Sequence, residues 1–248
     1  MPAPEDRPAL RPAYYATKGG GWRDWWTLLH PPYTAWELSY VVIGASIAPK
    51  VSTQKLVATL LAFFFAVGLA AHALDELKGR PLRTSIPTPV LVAVSAVGLA
   101  AAVALGVAGV AKVGWTLVPF IVVGPMLVVA YNAELFGGFV HTDVGFAAAW
   151  GAFPVLTAYV AQAQRLALAP VLVAAGAFAL SAAQRALSSP ARMVRRKVTG
   201  LDGTMTFSDG TSQRIDAQFV IRPLERGLSM MSWSIVLLAA GLAVARLG

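Results

Sequence analysis

Seven stretches of this chain, at roughly 33–49, 56–74, 89–111, 113–131, 144–162, 166–187 and 228–245, are apolar over about 18 residues or more. A helix rises 1.5 Å per residue, so stretches of this length match the roughly 30 Å hydrocarbon core of a bilayer. Only 13% of the 248 residues are charged, too few to coat a soluble globule of that size. The pattern predicts an all-α, multi-pass transmembrane bundle of about seven helices.

The distribution of basic residues orients the bundle. Lys50, Lys55, Lys112, Arg165 and Arg246 fall on one side; the other fifteen of the twenty Lys and Arg fall on the opposite side. Basic residues are retained on the cytoplasmic face. The N-terminus is therefore expected in the cytoplasm of a multi-pass protein of the inner or plasma membrane. The net charge of +8 then reads as topology and contact with membrane lipids, not as a nucleic-acid interface. Cysteine is absent, which excludes disulfides, thiolate metal sites and Cys nucleophiles.

Four segments follow from this. Residues 1–26 are polar, rich in Pro and Gly and without an apolar h-region, so they read as an irregular or interfacial lead-in, with Trp22, Trp25 and Trp26 at headgroup level. Residues 27–187 hold six helices, and 228–248 form the last one. Between them, 188–227 is the one long polar connection, with Asp-Gly pairs at 202–203 and 209–210. Asp-Gly favours tight hairpin turns, which predicts a small two- or three-stranded β meander on the cytoplasmic face.

Ionisable residues are scarce in and beside the apolar stretches, so each is a candidate. The second stretch ends in AHALDELKGRPLR, residues 71 to 83. On a helix His72, Asp75 and Glu76 share a face, and an oxygen-rich patch at a helix end suits a hard divalent cation such as Mg²⁺. The same acids could instead pair with Lys78, Arg80 and Arg83 as an interfacial cluster. Glu37 lies in the first stretch; Tyr131, Asn132 and Glu134 close the fourth, and His141 and Asp143 precede the fifth. Tyr131, Asn132 and Tyr159 could border a cavity and face a carbocation or an acceptor. Gln184, Arg185 and Arg192 mark the end of the sixth.

LLHPPYTAWELSYVVIGASIA, AHALDELKGRPLRTSIP and VVAYNAELFGGFVHTDVGFAAAWGAFPVLTAYVAQ together resemble the first five helices of the UbiA-type membrane prenyltransferase superfamily. That resemblance implies a helical bundle binding an isoprenoid diphosphate through Mg²⁺ in a cavity open to the cytoplasm and to lipid. It implies prenyl transfer to an acceptor, or cyclisation. The family's Asn-Asp-x-x-Asp-x-x-x-Asp motif falls on Ala71, His72, Asp75 and Gly79, followed by Arg80-Pro81, so only Asp75 keeps its acid. At the second acidic motif, LSAAQRALSSPARMVRR places Gln184 and Arg185 where acids are expected. Members usually have nine helices.

Carried over residue by residue, the resemblance implies Mg²⁺ on His72, Asp75 and Glu76. Diphosphate would contact Lys78, Arg80, Arg83, Gln184, Arg185 and Arg192. Asp75, Glu76, Tyr131 and Asn132 would stand near the chemistry. Two other functions use the same residues. A degenerate bundle could bind a lipid, quinone or protein partner without turnover; a di-iron-like site could draw on Glu37, His72, Asp75 or Glu76, Glu134 and His141.

Overall fold

The computed structural model describes residues 10–248. Arg7 and the first third of the N-terminal lead-in lie outside the described residues. A short helix α1 (Trp22–Leu28) precedes α2 (Pro31–Ser46), α3 (Thr53–Leu77), α4 (Thr88–Val113), α5 (Trp115–Asn132), α6 (Asp143–Ala163) and α7 (Leu168–Lys197). A hairpin of β1 (Asp202–Thr206) and β2 (Ser212–Asp216) leads into α8 (Ala217–Leu247). Helices α3 to α8 are six segments long and apolar enough to cross a membrane. With α2, which has 16 residues and runs between α6 and α8, they form an integral membrane bundle.

The helix starts follow local chemistry. Pro31 and Pro32 open α2 after His30, which takes a left-handed conformation with φ 47°. Ser52 caps α3, Thr142 caps α6 and Asp216 caps α8, each accepting a backbone N–H of the first turn. Two stretches depart from regular α geometry: Phe64–Ala71 within α3 and Ala147–Ala152 within α6 are π-helical. Such segments redirect side chains and concentrate at functional sites.

The hairpin has two strands, with Asp202 opposite Asp216 and Thr206 opposite Ser212. Only the second Asp-Gly pair makes a turn: Gly210, at φ 85°, donates to the Phe207 carbonyl, and the Asp209 carboxylate accepts from the Thr211 N–H and hydroxyl. The first pair instead begins β1, where Asp202 is held extended by Arg214 across the ladder at 2.9 Å. The connection shrinks to residues 198–216 because α7 and α8 continue as helix well past their apolar stretches.

Small residues set the helix spacing. A Cβ on Gly44 would stand 2.8 Å from the Val155 Cα, and one on Gly151 would stand 2.6 Å from both the Ala177 carbonyl and the Ser181 hydroxyl. Thus α2 meets α6, and α6 meets α7, nearly backbone to backbone. Trp36 donates to the Tyr40 hydroxyl at 2.7 Å; that hydroxyl donates to the Ala177 carbonyl at 3.2 Å and accepts from Ser181. This buried chain fixes α7 against α2 and sets where its polar end points.

Candidate functional site

A cavity of about 350 Å³ lies at the bundle end that carries the C-termini of α3 and α7. Its walls include Tyr15, His30, Glu37, His72, Asp75, Tyr131, Asn132, His141, Trp150, Gln184, Arg185, Ser189, Arg192, Arg196 and Lys197. Asp75 and Arg185 therefore share one chamber.

Residues 185, 189, 192 and 196 are spaced at helical intervals, so one face of α7 presents Arg185, Ser189, Arg192 and Arg196 to the cavity. Among the described residues each guanidinium makes a single hydrogen bond to the protein. Arg185 Nε donates to Asp143 Oδ1 at 2.8 Å, with its carbon 5.4 Å from the Phe146 ring centre; Arg192 Nη2 donates to Ser189 Oγ at 3.3 Å; Arg196 Nε donates to the Pro12 carbonyl at 3.2 Å. The lead-in crosses this end of the bundle, and Arg195 ties down the Arg11 carbonyl while pairing with Glu225.

The opposite wall is aromatic and largely neutral. His30 stacks on His72 at 4.2 Å, and Tyr15 packs edge-on to Tyr33. Burial, reinforced by His72, Arg196 and Arg192, holds the His30 imidazole well below its ordinary value, so it is neutral at pH 7. The Tyr131 ring lies 4.4 Å from His141 and 4.7 Å from Trp150. The Tyr131 hydroxyl and Glu37 Oε2 are buried without a hydrogen-bond partner among the described residues.

Several candidates sit elsewhere. Glu76 is fully buried and turned away from the chamber, accepting the N–H groups of Leu82 and Thr84 at 2.9 Å and the Thr84 hydroxyl at 2.8 Å. It organises the α3–α4 connection, because one helical position separates it from Asp75 and the turn N–H groups lie on its side. Asp24 of α1 grips the same connection through Ser85, a role with no counterpart in the expected site. Arg80 spans the connection to the Ile86 carbonyl at 2.5 Å and Thr88 at 2.8 Å. Lys78 pairs with Glu134 on the surface at 2.5 Å, an ion pair that holds the Glu134 carboxyl below its usual value. Arg83 is exposed and, like Lys78 and Arg80, does not line the chamber. Tyr159 is buried with Ala48 and Val160 and borders no part of it.

The donor set does not fit a protein-held Mg²⁺. With Glu76 facing the turn, the expected trio reduces to His72 and Asp75. One nitrogen of His72 is engaged by the Gly68 carbonyl at 3.1 Å. Among the described residues no three His, Asp or Glu side chains form a group that could hold a metal ion, so the structure does not bring the di-iron-like set together. Mg²⁺ demands near-octahedral oxygen ligation, and four cationic side chains share the space.

A second cavity of about 480 Å³ lies between α3, α4, α5 and α6, walled by Phe63, Val67, Gly106, Phe120, Val128 and Phe153. Trp150, on the π segment of α6, borders both cavities. The bundle thus offers a cationic compartment and an apolar one on either side of one indole. Neither the apolar wall nor Trp150 stands out in a sequence already rich in such residues. The 185/189/192/196 spacing does, once the sixth helix is extended to Lys197.

A solved UbiA homolog from Archaeoglobus fulgidus, bound to Cd²⁺, is similar in structure over 89% of this chain and 83% of its own. The TM-score is 0.51 and the sequence identity 16%. That likeness establishes a UbiA-like fold. No protein-family model matches the sequence, and no curated protein matches it either.

Proposed function

We propose that this protein binds an isoprenoid diphosphate, with the headgroup in the arginine-lined chamber and the hydrocarbon tail in the apolar cavity beyond Trp150. The observation that carries this reading is the pairing of the two compartments across a single side chain. An amphiphile with a compact, multiply charged head and an apolar chain matches both at once, and both volumes fall in the range of small-molecule sites, about 300–1,000 Å³. The bias of Lys and Arg toward this end of the bundle supports a cytoplasmic opening for the chamber.

The same geometry supports transfer or cyclisation. Breaking the C1–O bond sends its electron pair to the diphosphate and leaves an allylic cation. Arg185, Arg192 and Arg196 stabilise the charge gathered on the departing group. Tyr131, Phe146 and Trp150 present aromatic faces to the cation. A nucleophilic carbon or oxygen of an acceptor, or a double bond of the same chain, then forms the new bond. The proton released goes to one of the two chamber carboxylates, Asp75 or Glu37.

The Cd²⁺ in the structural neighbour makes divalent-metal chemistry the natural comparison, yet the donors here do not reproduce a metal cluster. That mismatch favours a second reading, in which the bundle holds the lipid without turning it over.

Purified protein in detergent distinguishes them. Labelled geranylgeranyl diphosphate should bind at least tenfold more tightly than geranylgeraniol, and release of pyrophosphate on addition of a membrane lipid extract separates enzyme from carrier. Equal affinity for the alcohol and the diphosphate would remove the reading altogether.

A further inference from the structure

We infer that the chamber holds its diphosphate by fixed guanidinium charge alone, with no divalent cation bridging protein and ligand; this rests on the headgroup assignment above. A guanidinium carries five N–H donors. Arg185, Arg192 and Arg196 each spend one on the protein, leaving the remainder of three forks along one helix face. Forked donors meet phosphate oxygens two at a time, which a point-charge ammonium does not reproduce.

The charge pattern points the same way. Arg185, Arg192, Arg196 and Lys197 border the chamber against two carboxylates, Asp75 and Glu37, on separate helices. Among the described residues no ion pair within 4 Å joins any of the stripe arginines to either carboxylate, and the one acid that does reach the stripe is Asp143, at the rim. Like charges a helical turn or two apart repel, and an anion between the forks relieves that repulsion. A cation placed in the same volume would add to it.

The positions also exchange roles. Gln184 and Arg185 stand where the resemblance expects acids, and Glu76, the acid beside Asp75, is consumed in hydrogen bonds to Leu82 and Thr84. The positive charge that metal ions supply elsewhere is here part of the chain.

The full-length protein in detergent should be titrated with sodium pyrophosphate, once in EDTA and once in excess Mg²⁺, and followed by calorimetry and by thermal shift. Binding in EDTA at least as tight as in Mg²⁺ is expected, with no shift from Mg²⁺ alone. Arg192→Gln and Arg196→Gln should each weaken it tenfold or more, and Arg192→Lys, which keeps charge but loses the fork, should fall between. Binding seen only with Mg²⁺ overturns the metal-free inference and leaves the headgroup assignment standing. Failure of pyrophosphate to bind in either buffer, or to displace a prenyl diphosphate, overturns both.

Discussion

Asp75 at the end of α3 and Arg185 on α7 line one chamber, yet they make no contact as an ion pair: Arg185 reaches instead to Asp143. The separation leaves an unpaired carboxylate and a row of unfilled guanidinium forks facing the same space. A bound anion resolves the second condition and is opposed by the first.

Asp75→Asn therefore separates the ways this chamber could hold a headgroup. If arginines hold it directly, removing the carboxylate relieves repulsion and pyrophosphate binds several-fold tighter, a gain of roughly 1 kcal/mol. Turnover should fall at the same time if Asp75 accepts the proton. Calorimetry and pyrophosphate release, measured on the same preparation, report the two effects independently.

Glu76→Ala should act on stability rather than on the ligand. It strips three hydrogen bonds from the buried α3–α4 connection. Bonds to a charged group are worth about 1.5–3 kcal/mol each, and orphaned N–H groups add to the loss. A destabilisation of about 3 kcal/mol or more is expected in detergent unfolding, with pyrophosphate affinity of the folded fraction unchanged.

His30 gives the acid side of the stability profile. Burial first, then His72, Arg196 and Arg192, depress its proton affinity in the folded protein, while Tyr15 and Tyr33 pack on it without charge. The unfolded chain takes up a proton at about 6.5, so stability is full above that value and falls as pH drops below it toward the lower folded value. His30→Asn, which tolerates the left-handed backbone, should flatten the decline in unfolding midpoint between pH 7.5 and 5.5.

Gly151→Ala tests the link between packing and the stripe. The added methyl meets the Ala177 carbonyl and Ser181 hydroxyl at 2.6 Å, so α7 must move away from α6. A cost of about 2 kcal/mol is typical of such overpacking. Because the displaced helix carries Arg185 and Arg192, pyrophosphate affinity should fall as well, whereas Gly176→Ala, which meets nothing within 4 Å, should change neither.

The spanning helices were legible because one physical requirement, an apolar length matched to the bilayer, writes itself into every residue of a segment. Asp75 and Arg185 could be placed together from the charge bias and the helix ends. Glu76 could not be separated from Asp75, since adjacent residues on a helix differ by about 100° of rotation and only the path of the following turn decides which faces inward. The resemblance assigns Lys78, Arg80 and Arg83 to the ligand, and the sequence shows their charge but not the Glu134, Ile86 and Thr88 partners that occupy two of them. The apolar cavity was hidden for a different reason: in a membrane protein Phe63, Phe120 and Phe153 look the same whether they face lipid, core or a ligand.

The central claim is that one amphiphile spans the two compartments, head among the arginines and tail beyond Trp150. Photo-crosslinking with a prenyl diphosphate carrying a diazirine at the tail end, mapped by mass spectrometry, measures this directly. Labels on Phe63, Gly106, Phe120 or Phe153, removed by excess pyrophosphate and by Arg192→Gln, are the expected result. Labels on the outward faces of α4 and α8 that persist under both conditions would contradict the account.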